Sequence, residues 1–106
     1  MSMHKELVSI IMPMYNSAKY VGEAITSVIN QTYDNWELLV IDDASKDNSC
    51  DIVREFIKQD SRIHLLFNDN HTGRPSSPRN MGVKHARGRF IAFLDSDDMW
   101  FPEKLQ

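Results

Sequence analysis

The chain has one cysteine, Cys50. It therefore holds no internal disulfide, and an unpaired thiol suits a reducing compartment. No apolar run approaches the roughly 18 residues that a membrane-spanning helix needs. No secretory leader is expected before Leu7, because Met1–Glu6 is polar. A strong charge of one sign is missing too. The formal net charge is −3 over 106 residues, which gives no electrostatic case for nucleic acid as a partner. The basic residues are scattered except for Arg74, Arg79, Lys84, Arg87 and Arg89, a stretch that either faces phosphate or forms a solvated helix face. Internal repeats, low-complexity tracts and linkers are absent. Two phosphate-binding signatures are also absent. The first apolar run is followed by P-M-Y-N-S-A rather than G-x-G-x-x-G, and G-K-[ST] occurs nowhere. A dinucleotide-binding dehydrogenase and a P-loop nucleotidase are thereby set aside. The histidines His4, His64, His71 and His85 share no metal-ligand spacing.

What the chain does have is alternation. Leu7–Met12 is a short apolar run, L-V-S-I-I-M, stopped by Pro13, and its β-branched residues favour a buried strand. Tyr20, Val21, Ala24, Ile25, Val28 and Ile29 then recur at offsets of three and four, which predicts a helix that Asn16 or Ser17 can cap. Trp36–Ile41 predicts a second strand ending in Asp42 and Asp43. Ile52, Val53, Phe56 and Ile57 predict a second helix, with Asp47 or Asn48 placed to cap it. Cys50 falls on that helix as an inert thiol. Ile63–Phe67 predicts a third strand, ending in Asn68-Asp69-Asn70. The polar stretch Asn68–Ser77 is longer than a simple connection needs, and such loops often carry function. Ser76 or Ser77 followed by Pro78 predicts the start of a third helix, which runs to about Arg87 and stops at Gly88. Phe90–Leu94 predicts a fourth strand, and Pro102-Glu103 opens another helix.

Near-continuous apolar strands alternating with helices predict an α/β fold, a Rossmann-like and mostly parallel sheet with helices on both faces. Its crossovers should be right-handed. Ligands of such open sheets sit beyond the carboxyl ends of the strands. Four polar clusters fall there: Pro13–Asn16, Asp42-Asp43, Asn68–Asn70 and Asp95–Asp98. The last has the most specific chemistry. Phe90–Trp100 reads F-I-A-F-L-D-S-D-D-M-W, so a strand delivers three carboxylates to one place. Their mutual repulsion is costly unless a cation offsets it. D-x-D at a strand end suits Mg²⁺ or Mn²⁺, hard ions that take oxygen ligands and share them with substrate phosphates. Alone, the tripeptide is common by chance. Convergence of four strand ends is what carries weight. Plainer readings stand beside these. Tyr15 can pack over a sheet edge, and Asp42 can hold a turn. Trp36, Trp100 and Phe101 read as packing residues, and the six methionines as core filling. A phosphatase using a strand-end Asp would place D-x-D after the first strand, whereas here it closes the fourth.

These residues resemble the N-terminal half of a family 2 glycosyltransferase with the GT-A fold. The resemblance lies in V-S-I-I-M-P-M-Y-N (Val8–Asn16), Q-T-Y-D-N-W-E-L-L-V-I-D-D-A-S-K-D-N-S (Gln31–Ser49), R-N-M-G-V-K-H-A-R-G-R-F-I-A-F-L-D-S-D-D-M-W (Arg79–Trp100) and P-E-K-L (Pro102–Leu105). It implies strand order 3-2-1-4. It also implies that residues 1–106 form a single partial domain, the nucleotide-binding half, cut short at the C-terminus. The implied donor is a nucleotide-diphosphate sugar, a UDP-sugar, with Mn²⁺ or Mg²⁺ as cofactor. The implied acceptor is an unspecified glycan or a lipid-linked one, met in the cytoplasm or at the inner face of the membrane.

The resemblance also distributes roles. Pro13 and Tyr15, with Asn16 in the same segment, would grip the base, Tyr15 stacking on the ring. Asp43 would accept a hydrogen bond from an N–H of uracil, with Asp42 beside it. Arg79 would lie near the ribose or diphosphate. Asp97 would ligate the metal directly, and Asp95 would contact ribose or a metal-bound water. No residue here is assigned as catalytic base, because the family's carboxylate base lies in the other half of the domain; this chain alone is expected not to transfer sugar. Two departures fall in one loop. Pro78 stands where many members have alanine, and Gly73–Arg79 is one residue longer. The alternative readings are a non-catalytic nucleotide-sugar binding module and a sugar nucleotidyltransferase. An unpaired sheet edge near Phe90–Gln106 is expected to favour self-association.

Overall fold

A computed structural model of the chain describes residues 6–68, 76–102 and 104–105. The expectations for the loop over residues 69–75, His71 among them, and for capping by the Ser76 and Ser77 side chains lie outside what is described. Strands and helices alternate as β1 (Val8–Met14), α1 (Val21–Ile29), β2 (Trp36–Asp42), α2 (Ser49–Gln59), β3 (Ile63–Phe67), α3 (Ser76–His85) and β4 (Phe90–Phe93). The strands pair in parallel in the order β3-β2-β1-β4. This is the α/β class and the strand order expected. No helix among the described residues is long and apolar enough to cross a membrane.

Side-chain alternation sorts the strands onto two faces. Val8, Ile10, Met12 and Met14 of β1 join Trp36, Leu38 and Val40 of β2 in one cluster, packed with Val21, Ala24, Ile25 and Val28 of α1 and Val53 of α2. Ile11, Leu39 and Ile41 face the other way and meet Met81 of α3 and Ala86 just beyond it. Each fully buried Ile or Leu contributes about 1.5–3 kcal/mol, so the doubly covered sheet is the main source of stability. Gly82 lets α3 approach the sheet closely, since a Cβ there would lie 2.5 Å from Ile11 Cγ2.

β1 does not stop at Pro13 as expected. It continues to Met14, paired with β2 through Pro13↔Ile41 and Met14↔Asp42. The reason is directional. The Ile11 carbonyl accepts from the Leu94 N–H, so the backbone groups of Ile11 face β4. Pro13, two residues on, faces the same side, where the β4 ladder has already ended at Phe93. The missing N–H costs no ladder bond.

One polar network is buried near the amino end of the sheet. Ser9 and Glu37 are register partners, 0% and 3% exposed. The Ser9 hydroxyl donates to Glu37 Oε2 at 2.6 Å, and the Arg87 N–H donates to the same oxygen at 2.8 Å. The Gly88 N–H donates to Ser9 Oγ at 2.7 Å. These bonds pin the turn between α3 and β4 to the sheet. Burial pushes the Glu37 carboxyl up, but the hydrogen bonds from Ser9 and Arg87 outweigh it and hold the group below its ordinary range. Gly88 is required by space, because a Cβ would sit 2.6 Å from the Ser9 nitrogen.

Several local expectations are corrected. Neither Asn16 nor Ser17 caps α1 through its side chain; Tyr20 occupies the cap position, and the Ser17 carbonyl accepts the Tyr20 and Val21 N–H groups. Tyr20 lies on the exposed side of that helix rather than in its core face. Asn48 is the residue before α2 and makes no side-chain cap, whereas the Asp47 carboxylate accepts the Ser49 N–H at 3.0 Å. In place of a helix at Pro102, a turn is closed by the Lys104 N–H on the Phe101 carbonyl at 3.1 Å. Trp36 is buried and Trp100 packs on the core, but Phe101 is 84% exposed and is no packing residue. Met12 and Met14 fill the core, while Met99 is exposed.

Candidate functional site

The carboxyl ends of the strands are tied together by short bonds beyond the ladder. The Asp43 N–H donates to the Met14 carbonyl at 2.9 Å, and the Asn68 N–H to the Asp42 carbonyl at 2.8 Å. These bonds bring the segments after β1, β2 and β3 to a common edge.

At the end of the β1 ladder Pro13 is half-buried, and just after β1 Tyr15 is 52% exposed. Asn16 takes a φ of +47°, a left-handed conformation that Asn tolerates because its short side chain bonds locally. Its Oδ1 accepts the Lys46 N–H at 2.7 Å, and its own N–H donates to Ser45 Oγ at 2.8 Å. The Asn16 side chain thus joins two loops, whatever else it touches. At the last position of β2, Asp42 is buried, and its Oδ2 accepts the Ser45 N–H at 3.2 Å, the bond of a turn-holding aspartate. Its other oxygen is buried without a hydrogen-bond partner among the described residues. Ala44, the next residue but one, has a φ of +63°, which costs an alanine about 1–2 kcal/mol. Asp43 Oδ1 accepts from Asn68 Nδ2 at 2.8 Å. Cys50 lies near Asp42. Burial first, and then the Asp42 carboxylate, push its thiol up to about 11, so it is inert as a nucleophile at neutral pH.

After β4 the chain folds back at once. The Asp98 N–H donates to the Asp95 carbonyl at 3.0 Å. In this turn Ser96 points inward and is buried, while Asp95, Asp97 and Asp98 are exposed. Their carboxylates offer oxygens that all lie within 4.8 Å of one another. Such a set of hard oxygen donors fits Mg²⁺ or Mn²⁺, ions that retain several waters and take a few carboxylates. Arg79 of α3 reaches this turn, its Nη2 lying 3.3 Å from Asp95 Oδ1. The same guanidinium stands 5.8 Å from the centre of the Phe93 ring. Every described residue expected at the site therefore lies on the carboxyl edge of the sheet or, for Arg79, on the helix beside it.

Four residues at this edge were not anticipated from sequence as site residues. Ser17 Oγ and Ser96 Oγ are 2.6 Å apart and buried. The Ser17 N–H donates to Ser49 Oγ at 2.8 Å, and the Ser49 hydroxyl donates to the Asp47 carboxylate. Asp47 also accepts the Ala18 N–H at 3.1 Å, and these bonds, the Ser49 hydroxyl foremost, hold its carboxyl below the usual range. Small polar residues carry no periodic signal, so nothing in the sequence marked this chain of contacts. A separate cleft of about 690 Å³ lies between α1, α2 and the segment after β4, lined by Gly22, Thr26, Phe56 and Trp100 among others. None of the expected site residues lines it.

Comparison with known proteins decides the family. The model of glycosyl transferase family 2 matches residues 9–106. The chain belongs to this family. It is 55% identical over 100 residues to the Escherichia coli UDP-Glc:alpha-D-GlcNAc-diphosphoundecaprenol beta-1,3-glucosyltransferase WfgD, covering 94% of this chain and 38% of that protein. Among solved structures it is similar to S. aureus TarS in complex with UDP-GlcNAc, with a TM-score of 0.87 and 35% identity over 92% of this chain and 28% of that one. It is also similar to the mannosyltransferase PcManGT of Pyrobaculum calidifontis in complex with GDP-Man and Mn²⁺, with a TM-score of 0.82 and 25% identity, covering 92% of this chain and 29% of that one. The chain spans at most about two fifths of the length of these curated relatives. Asp95-Ser96-Asp97 reads D-x-D on the turn described above.

Proposed function

We propose that this chain is the nucleotide-binding part of a glycosyltransferase that uses a UDP-sugar and a divalent cation, Mn²⁺ or Mg²⁺, and passes the sugar to an acceptor hydroxyl with inversion. Residues 1–106 are read as one partial domain. The observation that carries the proposal is the convergence of Tyr15, Asp43, Arg79 and the three-carboxylate turn on one edge of a parallel sheet. The donors named with the similar proteins, UDP-Glc, UDP-GlcNAc and GDP-Man, and the Mn²⁺ bound to one of them, support it.

In this reading the exposed Tyr15 ring stacks on the base, with Pro13 and Asn16 shaping the segment that presents it. Asp43, steadied by Asn68, accepts from the uracil N–H, and Asp42 holds the turn beneath it. Asp97 and Asp95 would hold the cation, which neutralises charge on the departing diphosphate. Arg79 adds a fixed positive charge to the same region and exchanges its contact with Asp95 for one to ribose or diphosphate. Inversion needs a base on the acceptor hydroxyl, and no residue of this chain is given that role; Asp98 closes the acidic turn through its N–H. The acceptor is read as a glycan or a lipid-linked sugar. The lipid diphosphate in the name of the E. coli relative favours the latter, and with it a cytoplasmic protein working at the inner face of a membrane.

Calorimetry of UDP binding with and without Mn²⁺ tests the proposal. A charge-assisted contact of about 1.5–3 kcal/mol corresponds to a gain of roughly 10- to 100-fold on adding Mn²⁺. Asp97→Ala is expected to abolish that gain. Equal affinity in both conditions, or an Asp97→Ala chain that behaves as wild type, overturns the metal assignment.

A further inference from the structure

We propose that Ser17 and Ser96 are positioning residues, a buried hydroxyl bridge that fixes the acidic turn against the Tyr15 segment and makes nucleotide and cation binding interdependent. The inference rests on the function proposed above and adds two residues with no contact to either ligand.

Ser96 is the middle residue of Asp95-Ser96-Asp97. Its neighbours point outward, whereas its own hydroxyl is buried and lies 2.6 Å from Ser17 Oγ. The proton arrangement follows from counting. A hydroxyl has one proton. Ser17 Oγ donates to the Tyr15 carbonyl at 3.1 Å, so within the pair Ser96 is the donor and Ser17 the acceptor. A continuous path of hydrogen bonds therefore runs from the middle of the D-x-D to the backbone of the residue proposed to stack on the base.

Ser17 is also anchored from behind. Its N–H is held by Ser49 Oγ at 2.8 Å, and Ser49 is held by Asp47. The bridge thus ends on the first turn of α2, an element that neither ligand touches in the proposed pose. Two carboxylates brought to a cation must accept a particular spacing and direction. A turn free to rock would lose more entropy on binding, whereas one held by Ser96 has part of that entropy removed in advance and loses the rest when a ligand seats. Because the pin ends at Tyr15, ordering one half of the site orders the other. Two sites coupled in this way raise each other's affinity by the same factor.

The experiment measures that factor. UDP affinity of this chain is determined by calorimetry with and without Mn²⁺, and the ratio is compared between wild type, Ser17→Ala/Ser96→Ala and Ser96→Thr. The double variant is chosen because removing both partners leaves no orphaned hydroxyl in the dry interior. It is expected to unfold as cooperatively as wild type and to lose more UDP affinity with Mn²⁺ present than without it. Its gain from Mn²⁺ is expected to fall by about fivefold or more, within the usual range of coupling between sites. Ser96→Thr, which keeps the hydroxyl, is expected to retain most of the gain. A second readout needs no variant: in the UDP-saturated wild type, amide hydrogen exchange at Ser17 should slow when Mg²⁺ is added. An unchanged Mn²⁺ gain in the double variant overturns the bridge, as does an equal loss of UDP affinity with and without metal, or Ser17 exchange indifferent to Mg²⁺. A wild-type chain that binds no UDP, or binds it without any gain from Mn²⁺, removes the proposed site itself and the bridge with it.

Discussion

Replacing Glu37 by glutamine probes the buried anchor at the amino end of the sheet. The carboxylate takes two short bonds on Oε2, from Ser9 at 2.6 Å and from the Arg87 N–H at 2.8 Å. A glutamine carbonyl placed in the same position keeps both bonds but makes them neutral. Bonds to charged groups contribute about 1.5–3 kcal/mol and neutral ones about 0.5–1.5, so the expected loss is roughly 1 kcal/mol per bond, or about 2 in all. The third contact, Arg87 Nε to Oε1 at 3.4 Å, adds little, because the arginine side chain is 74% exposed and water screens it. For a domain of this size about 2 kcal/mol lowers Tm by roughly 8–16 °C. Glu37→Ala should cost more, since it strands the Ser9 hydroxyl and the Arg87 N–H in a dry pocket.

The pH dependence separates this account from a simple packing effect. The folded carboxyl lies below its ordinary value of 4.5. A group depressed in the folded state contributes stability that is fully present above its unfolded pKa and is lost as pH falls through its folded pKa. The gap between wild type and Glu37→Gln should therefore be widest at neutral pH and shrink on acidification below 4.5. Urea unfolding of both chains, followed by circular dichroism over that range, measures the gap directly. A gap within 0.5 kcal/mol at neutral pH (about the scatter expected of an inconsequential surface change), or one that widens on acidification, refutes the reasoning.

Two further predictions concern the outer surfaces. Tyr15→Ala should weaken UDP binding by about 0.5–1.5 kcal/mol and Asp43→Ala by about 1.5–3 kcal/mol; if calorimetry finds neither loss, the nucleoside does not lie between them. Phe90, Ile91 and Phe93 are exposed on β4, which pairs among the described strands only with β1. An apolar edge of this kind recruits other chains, so sedimentation should show mass rising with concentration, and Ile91→Lys should abolish the rise. A wild-type chain that stays monomeric at high concentration contradicts the expectation.

The fold was legible because its signal is periodic. Ile63–Phe67 is a strand with the bounds that its apolar run suggested, and Val21, Ala24, Ile25 and Val28 form a buried stripe at helical spacing. The errors fall where tertiary geometry decides. Pro13 reads as a strand breaker until the direction of its missing N–H is known. Asn16 and Ser17 read as helix caps, but their side chains bond across to Lys46 and Ser96 instead. Phe101 reads as core by composition and is exposed by position. At the site, Asp42-Asp43 and Asp95-Ser96-Asp97 stood out as acids at the ends of apolar runs. Ser17 and Ser96 did not, because a hydroxyl pair separated by 79 positions leaves no local pattern. Glu37 did leave a trace. It is one charge inside W-E-L-L-V-I, and its register partner Ser9 is the polar residue inside L-V-S-I-I-M.

The two ends of the sheet divide the work for a physical reason. At the amino end, one buried carboxylate meets a matching set of donors, and a dry, satisfied network of this kind holds one geometry. At the carboxyl end, three exposed carboxylates face a single nearby arginine contact among the described residues, and Asn16 and Ala44 sit at positive φ. Such an arrangement adds nothing to stability in water, and the Ala44 backbone subtracts from it. It persists because the amino-end anchor and the doubly covered sheet over-determine where the loops begin. Substitutions at Glu37, Gly82 or Gly88 should therefore change Tm and leave nucleotide affinity per folded molecule alone. Substitutions at Tyr15, Asp43 or Asp97 should do the reverse. Ser17 and Ser96 lie on the boundary between the two regimes, buried like the anchor yet bonded to the site, which is why the ratio of two affinities, rather than either affinity or Tm alone, reports what they do.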